Sequence, residues 1–372
     1  MPVDGVVYCY PIWHTVSFSM VARRHIEQLR GRGVYVYEWD EVSIPRFSAV
    51  YRYSLAVHPM FYCVHRWSSM LTEEGGDLSE GLETLKSALG YYERIVGFDV
   101  ADSDAISPLA VQLADAVTDV VVPSTWARDA FVRSGVRVPV HVVPHGVPRE
   151  WLTSPSPGLE ACGSSAFRSV IQFLGLLKWM GVKVLLFFLW HSPERKGWPE
   201  VLEFYERLRG ERDDVVLLVK SVIPLDVDPR VASKMGIVNV FGWLSEAEKM
   251  LLYDVADLTL LFSRGGGFEL NGLESLARGT PVIAHRRGSW ADYVPDWLLV
   301  KEGRRVKVFE GNMIHVGYGY TVDVESALDL AHRILDSPDE WKCKVREYAA
   351  QRIAREFTWD VVGERVAELL DA

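Results

Sequence analysis

Three consecutive glycines, Gly265–Gly267, join a short apolar run, 258–262, to a segment with helical spacing of apolar residues that Gly279 ends. A glycine loop that leads into a helix leaves backbone N–H groups directed at one spot, with the positive end of the helix dipole behind them. The segment therefore predicts a site for a phosphate or a diphosphate. Its spacing matches neither a Walker loop nor a G-x-G-x-x-G turn, so other residues have to identify the ligand.

Basic side chains follow two other predicted strands. Arg195 and Lys196 come after the apolar strand 184–189, and Lys220 directly follows the strand 215–219. A guanidinium offers a fork and an ammonium a point charge to phosphate oxygens, and the ends of neighbouring parallel strands open on one crevice. We expect these residues to bind the anion, with Lys196 as an exposed point charge. The alternative is a solvated charge cluster at a helix start.

The region around the glycine loop resembles the family 4 glycosyltransferases, which have the two-domain GT-B fold. That family carries Ser-x-x-Glu-Gly-Phe-Gly-Leu-x-x-Leu-Glu-Ala-x-Ala-x-Gly-x-Pro-Val-Ile at this point. The first glutamate of the motif falls on Gly266, and Glu269 stands where the family usually has glycine. The matching residues are Ser263, Gly267, Phe268, Leu270, Leu273, Glu274, Ala277, Gly279, Pro281, Val282 and Ile283.

The resemblance implies that Glu274 holds the ribose of a nucleotide-sugar donor, since it matches the second glutamate of the motif. A second interpretation is structural, because Glu274 lies three residues after Asn271, the spacing of a capping box at a helix start. The surrounding match favours the donor role.

Further donor contacts follow from the same resemblance. Gly267, Phe268 and Leu270 belong to the donor-binding segment. Glu269 is both a donor contact and a catalytic candidate, on the hypothesis that its carboxylate reaches the space of the glutamate lost at Gly266.

Two other segments resemble parts of the donor site. Lys196 and the glycine after it match the diphosphate contact of a Gly-Arg-x-x-x-x-Lys-Gly segment, with His191 or Arg195 in place of the arginine. Trp243 lies in a segment similar to Gly-x-Leu-Ser, whose backbone meets the donor base, and we expect its ring to stack there.

Two candidates for catalysis lie in the N-terminal half. His14 is in the loop after the first predicted strand, 6–10, which faces the ligand crevice of a doubly wound sheet; a surface or helix-start histidine is an equal alternative. Asp99 stands near a Thr-Phe-His segment of the family whose histidine touches the donor sugar. The resemblance therefore suggests a charge partner or a base at Asp99.

The triplet Asp102-Ser103-Asp104 has the Asp-x-Asp form with which GT-A glycosyltransferases hold a divalent ion on the donor. Such pairs are common by chance, and Asp104 suits the N-cap of a helix predicted over 105–116. We therefore expect no metal site.

The composition bounds the class of protein. The chain has 372 residues, long enough for two domains, and the apolar and charged content of a globular protein. Its net charge of −10 argues against binding to duplex nucleic acid, which needs clustered Lys and Arg. The four cysteines lie far apart, and no charged-then-apolar leader opens the chain, so we expect a cytoplasmic location. Arginine far exceeds lysine, and Asn and Gln are scarce, a pattern that suggests a thermophilic source.

The stretch 170–190 is apolar over almost the length of a membrane span, but it contains two lysines near its centre. We predict a helix to about Met180, followed by the buried strand 184–189. Peripheral membrane contact by that helix is the alternative.

The expected fold is α/β, in the GT-B arrangement of two Rossmann-like domains with parallel sheets facing across a cleft. Residues 1–152 form the predicted acceptor domain, 153–166 a linker rich in Pro, Ser and Gly, and 167–356 the nucleotide-sugar donor domain. The last helix, 357–372, is expected to pack back on the N-terminal domain.

The resemblance implies transfer of a hexosyl group from a nucleotide-sugar to a sugar, lipid-linked or protein acceptor. Retention of configuration and independence of metal are implied as well, with the nucleotide-sugar as co-substrate and no further cofactor. The alternative is a non-catalytic nucleotide-sugar-binding or scaffold protein, because the first glutamate of the motif is missing.

Overall fold

Short apolar strands alternate with amphipathic helices along the whole chain. The computed structural model describes residues 3–46, 51–74 and 76–372 and arranges the strands in two six-stranded parallel sheets and one antiparallel ribbon. The central strands are mostly buried and apolar: β1 (Gly5–Tyr10) is buried throughout, and β7 (Lys183–Leu189) is apolar after Lys183 and buried at most of its positions. This composition suits parallel strands that are covered by helices on both faces.

The first sheet has the strand order β2-β1-β3-β4-β5-β6. Its strands are β1 (Gly5–Tyr10), β2 (Val36–Asp40), β3 (Tyr53–Val57), β4 (Arg94–Phe98), β5 (Asp119–Val122) and β6 (Val140–Val142). Its helices are α1 (Ser17–Gly31), α2 (Met60–Leu71), α3 (Leu78–Leu89), α4 (Pro108–Ala114) and α5 (Thr125–Ser134). The apolar and aromatic residues of 48–58 predict a strand at β3, and positions 48–50 of that prediction lie outside the described residues.

The second sheet has the order β12-β11-β10-β7-β8-β9. Its strands are β7 (Lys183–Leu189), β8 (Val215–Ser221), β9 (Ile237–Phe241), β10 (Leu258–Leu261), β11 (Val282–His285) and β12 (Leu299–Val300). Its helices are α6 (Ser165–Trp179), α7 (Pro193–Lys196), α8 (Trp198–Glu211), α9 (Pro229–Met235), α10 (Glu246–Val255) and α11 (Leu270–Ala277).

The C-terminal part of the chain begins with an antiparallel ribbon and ends in helices. These elements are β13 (Glu302–Lys307), β14 (Tyr318–Val322), α12 (Val324–Asp336), α13 (Pro338–Tyr348), α14 (Ala354–Glu356) and α15 (Trp359–Leu369). A π-helical turn, Ala349–Ile353, joins α13 to α14.

The chain divides into two compact units, each built around one sheet. The first unit comprises Met1–Gly146, Phe309–Gly317 and Glu356–Ala372, and the second comprises Val147–Val308 and Tyr318–Arg355. Helix α15 therefore belongs to the first unit, where it packs on α1.

The strand order of the second sheet has a switch point between β7 and β10. The chain leaves these neighbouring strands in opposite lateral directions, to β8 on one side and β11 on the other. The connections after β7 and β10 therefore run to opposite sides of the sheet, and the carboxyl edge at such a switch point is where open α/β sheets bind ligands. Both loops carry candidate residues from the sequence.

One predicted helix boundary is wrong. The helix expected over 105–116 begins at Pro108, and Ser107, not Asp104, accepts the capping hydrogen bond from the backbone N–H of Ala110. The residue before a proline is disfavoured in the helical region, so the helix begins at the proline.

The apolar stretch 170–190 forms a helix followed by a strand, α6 and β7, as predicted. The outer face of α6 exposes Phe173, Leu176 and Trp179. None of the helices in the described ranges has both the length and the apolar character needed to cross a bilayer.

Histidines form a buried cluster in the first unit that the sequence did not reveal. The Tyr8 hydroxyl lies 2.8 Å from Nδ1 of His25 and 3.2 Å from Nδ1 of His58. The ring of Trp359, at the start of α15, lies 6.1 Å from His25 and 6.4 Å from His145. Burial lowers the pKa of His25 and of His145 to about 3, and burial with the neighbouring histidines holds the pKa of His58 well below its usual range.

We expect the free energy of unfolding to fall as the pH is lowered from about 6.5 toward 3. In that window the unfolded chain binds protons at these histidines and the folded chain does not, so each group costs up to about 1.4 kcal/mol per pH unit. His25→Phe should reduce this slope, as measured by urea unfolding between pH 7 and pH 5.

His191→Phe is the control, since His191 lies at the surface and should leave the slope unchanged. An identical slope in wild type and His25→Phe would show that the buried cluster does not control the acid sensitivity.

Candidate functional site

The loops after β7 and β10 meet in direct contact at the switch point of the second sheet. Gly197, between α7 and α8, has φ +76°, and a Cβ at this position would overlap the carbonyl group of Phe262. Only glycine permits this approach without strain. The backbone N–H of Arg264 then donates to the carbonyl of Arg195 over 2.7 Å, which fixes one loop against the other.

A buried carboxylate lies at the centre of this contact. The two carboxylate oxygens of Glu269 lie 2.7 and 2.5 Å from Nζ of Lys196, and Nη1 of Arg195 is 3.4 Å from one of them. The Ser263 hydroxyl donates to the same carboxylate over 3.1 Å. The side chains of Glu269, Arg195 and Lys196 are only 4%, 7% and 14% exposed, so the cluster is shielded from solvent. We call these four residues the Glu269 cluster.

The Glu269 carboxylate occupies the volume that a side chain at position 266 would fill. A Cβ built on Gly266 has the carboxylate of Glu269 as its nearest neighbour, at overlapping distance. The sequence hypothesis placed the Glu269 carboxylate in the space of the glutamate that is missing at position 266. In the structure, the carboxylate comes from a residue three positions further along the chain and lies in that space.

The return depends on an uncommon backbone conformation. Glu269 has φ 64° and ψ 71°, the left-handed region, where a residue with a side chain is disfavoured by about 1–2 kcal/mol. Tyr293 holds the conformation by donating a hydrogen bond from its hydroxyl to the carbonyl of Glu269 over 2.6 Å. Strain of this kind persists where the surroundings determine it and is common at functional sites.

Lys196 is not the exposed point charge that the sequence suggested. Its ammonium is paired with Glu269, so the solvated-cluster alternative is equally wrong. Counted by formal charge, the four residues of the cluster carry two cations and one carboxylate, an excess of one positive charge. That excess suits an anion at the crevice.

Glu274 is held by α10 and not by a helix cap. Its carboxylate accepts hydrogen bonds from Nζ of Lys249 over 3.0 Å and from the Tyr253 hydroxyl over 2.7 Å. The residue that precedes α11 is Glu269, and no side chain caps this helix. The capping interpretation of Glu274 with Asn271 is therefore wrong.

The other residues of the motif build the wall of the site. Phe268 is buried, and its ring lies 5.1 Å from that of Tyr293. Gly267 is buried as well, and Leu270 is the first residue of α11 and half-buried. These residues determine the backbone conformation at the start of α11. The free backbone N–H groups at a helix start can bind an anion.

Lys220 and Trp243 lie on the other side of β7. Lys220 is 5% exposed at the end of β8, and its Nζ is 6.0 Å from the ring centre of Trp190. Trp190 in turn packs edge to face on Trp243 at 4.7 Å. The ring of Trp243 is 55% exposed and thus accessible to a flat ligand.

His14 and Asp99 belong to the first unit. His14 is exposed in the loop after β1. Asp99 is buried after β4, where its carboxylate accepts from the backbone N–H groups of Phe61, over 2.7 Å, and Val100, over 2.8 Å. Burial raises the pKa of Asp99 to about 7, against the effect of these N–H groups. The contacts make Asp99 an anchor for the start of α2.

The structure adds residues that the sequence did not single out. Lys249 and Tyr253, which hold Glu274, lie four residues apart and therefore on one face of α10. The sequence could therefore have indicated that these two side chains lie side by side. Trp190 and Tyr293 gave no local signal, because their partners are distant in sequence.

A cavity of about 640 Å³ lies elsewhere in the second unit. It is apolar and lies between α6 and the edge strand β9, with Phe173, Leu225 and Ile237 in its wall. None of the candidate residues named from the sequence lines it. Within the described ranges, no group of three His, Cys, Asp or Glu side chains is arranged to hold a metal ion.

Comparison with known proteins gives relatives over nearly the whole chain or over part of it. It is 31% identical to uncharacterised protein 356 of Sulfolobus islandicus rod-shaped virus 1 over 98% of both chains. It is 27% identical to a protein provisionally named glycosyltransferase 45 of Sulfolobus islandicus filamentous virus, over 62% of this chain and 60% of that one. It is also 27% identical to the MMP α-(1→4)-mannosyltransferase of Mycolicibacterium hassiacum, over 47% of this chain and 40% of the enzyme. No protein-family model matches the sequence.

The solved structures similar to this chain have the GT-B fold. Sucrose-phosphate synthase from Thermosynechococcus elongatus superposes with a TM-score of 0.63 at 14% identity, covering 98% of each chain. The Escherichia coli trehalose-6-phosphate structure with bound UDP-2-fluoro glucose superposes with a TM-score of 0.64 at 12% identity, covering 99% of each chain. The expected α/β fold of GT-B type is thus confirmed.

Exchanging the residues at 266 and 269 tests the displaced carboxylate. Gly266→Glu alone should be destabilising, because two carboxylates would compete for one space. Glu269→Gly alone should lower the free energy of unfolding by about 3–5 kcal/mol, because it removes the carboxylate that pairs with two cations. Relief of the backbone strain at this position should offset part of that loss. The double variant should recover at least about 2 kcal/mol of the summed losses, measured as a coupling energy by urea unfolding.

Gly175→Glu is the matched control, because Gly175 on α6 has open space around it and should accept a glutamate at little cost. Strict additivity of the two single variants would contradict the shared position.

Proposed function

This chain belongs to the same family as protein 356 of the rod-shaped virus, among relatives of GT-B glycosyltransferases, and on that premise we propose that it transfers a sugar from a nucleotide-sugar donor to an acceptor. We assign it to family 4, as a hexosyltransferase that retains configuration and needs no metal ion. The acceptor is a sugar, a lipid-linked sugar or a protein.

The observation that carries the proposal is the Glu269 cluster at the switch point. Two cations and the start of α11 converge where open α/β sheets bind ligands, and a carboxylate fills the space of the motif glutamate that the sequence lacks. A diphosphate placed there would meet the excess positive charge, while Glu269 would face the donor sugar.

In this proposal catalysis rests on stabilising the departing diphosphate. Lys196, Arg195 and the N–H groups at the start of α11 are fixed in advance, so they offer charge to the leaving group without reorganising. Glu269 keeps the two cations in place. Glu274, which Lys249 and Tyr253 already orient, would accept from the ribose hydroxyl groups.

The second candidate is a nucleotide-sugar-binding protein without transfer activity. It is favoured by one observation, since Glu269 already neutralises part of the charge that a diphosphate would need. A panel of nucleotide-sugars separates the two functions. We expect at least one donor to raise the melting temperature and to release its nucleoside diphosphate with an acceptor mixture. Binding with no release from any donor would favour the second candidate.

Glu274→Gln tests the ribose contact. Hydrogen bonds to a charged group contribute roughly 1.5–3 kcal/mol each, so the affinity for the donor should fall at least about tenfold. The melting temperature should change little, since Gln can still accept from Tyr253 and Lys249 keeps Glu246 as an ion-pair partner at 3.0 Å. Calorimetry with the donor from the panel gives the affinity.

Glu246→Gln is the matched control. It removes the other carboxylate from Lys249 but lies on the exposed side, with its side chain 49% accessible. It should leave donor affinity unchanged. Equal losses in both variants would place the effect on Lys249 and would remove the ribose contact from Glu274.

We also expect activity to persist after chelation of divalent ions, because the proposal assigns the leaving-group charge to Lys196, Arg195 and backbone N–H groups. Transfer should proceed at an unchanged rate in EDTA. Loss of activity that manganese restores would contradict this assignment and would return attention to Asp102 and Asp104.

A further inference from the structure

Three side chains at the ends of β7, β8 and β9 form a group separate from the Glu269 cluster. Trp190 and Trp243 pack edge to face with ring centres 4.7 Å apart, and the Lys220 ammonium lies 6.0 Å from the centre of the Trp190 ring. Two indoles and one ammonium offer stacking surface and hydrogen-bond donors in one place. This is the chemistry that recognises a nucleobase.

The position of Lys220 relates it to Glu274. Lys220 is directly opposite Phe188 in the register of β7 and β8, so both side chains point to the same face of the sheet. Phe188 stacks on Tyr253 at 5.5 Å, and the Tyr253 hydroxyl donates to Glu274. Lys220 thus lies toward the proposed ribose contact.

Within the part of the chain that the structure describes, the ammonium of Lys220 makes one hydrogen bond, to the carbonyl of Ser221 over 3.2 Å. An ammonium has three N–H groups to donate. Among the described residues, no carboxylate lies within ion-pair distance of it. Burial lowers the pKa of Lys220 to about 8, so the group remains largely charged at pH 7. A buried ammonium without an anion is costly unless a ligand supplies acceptors.

We propose that Lys220 selects the base of the nucleotide by donating a hydrogen bond to a carbonyl oxygen of uracil or guanine, while the base stacks on Trp243. Lysine pairs well with the O6 and N7 acceptors of guanine, whereas adenine shares N7 but carries an amino donor in place of the carbonyl oxygen O6. Donor would then face donor, and adenine nucleotides are disfavoured. This inference rests on the proposed function, since it specifies the donor of the same site.

Lys220 was expected from the sequence to bind the diphosphate, and the two roles differ in a measurable way. A phosphate contact is common to every nucleoside diphosphate, so its loss weakens all of them equally. A base contact affects only the bases that present the acceptor.

The test is calorimetric titration of the full chain with UDP, GDP and ADP. We expect the tighter of UDP and GDP to bind at least about tenfold more strongly than ADP. Lys220→Met, which keeps the length of the side chain, should lower the affinity for that nucleotide at least about fivefold and change that for ADP less than twofold. Lys234→Met, at an exposed lysine of α9, is the control and should change neither.

Equal binding of all three nucleotides by the wild type would overturn the inference without the use of any variant. An equal loss for all nucleotides in Lys220→Met would also overturn it and would assign Lys220 to the diphosphate. In both cases the proposed donor site stands, because a nucleotide binds. No binding of any nucleotide by the wild type would overturn the proposed function itself and this inference with it.

Discussion

The buried carboxylate of Glu269 is the constraint on which the site in the second unit depends. A buried charge is tolerated only when it is paired and hydrogen-bonded, so Lys196, Arg195 and Ser263 have to be in place around it. These partners come from two loops that follow different strands. The pairing therefore fixes the loop after β7 against the loop after β10, and the absent side chain at Gly197 lets their backbones approach closely enough.

The strand order determines how the charges and aromatic rings are distributed along the sheet edge. The cationic group lies at the switch point, between β7 and β10, and the indoles with Lys220 follow β7, β8 and β9. A nucleotide likewise has its charge at one end, on the phosphates, and a flat ring at the other, the base. In the proposed donor site, the edge of one sheet thus offers a matching group to each end of the nucleotide.

Much of the fold was predictable, because periodicity and end signals are local. The apolar runs 184–189 and 258–262 predicted β7 and β10, and Gly279 predicted the end of α11. For the site, residue types and the motif were enough to name candidate residues, but not to predict their contacts. The pairing of Lys196 depends on the left-handed backbone of Glu269, which no pattern of hydrophobicity encodes. Nor does it encode the buried histidines around Tyr8, which are far apart in sequence.

The first unit is assembled from three separate segments of chain. Its sheet is complete by Gly146, but α15 and the short segment Phe309–Gly317 join it only after most of the second unit has passed. During synthesis on a ribosome, the N-terminal sheet would therefore emerge with the α1 surface that α15 covers still open to water. It stays so until α15 has emerged as well. A fragment ending near Gly146 would lack α15, and the surface of α1 that this helix covers would stay exposed in it.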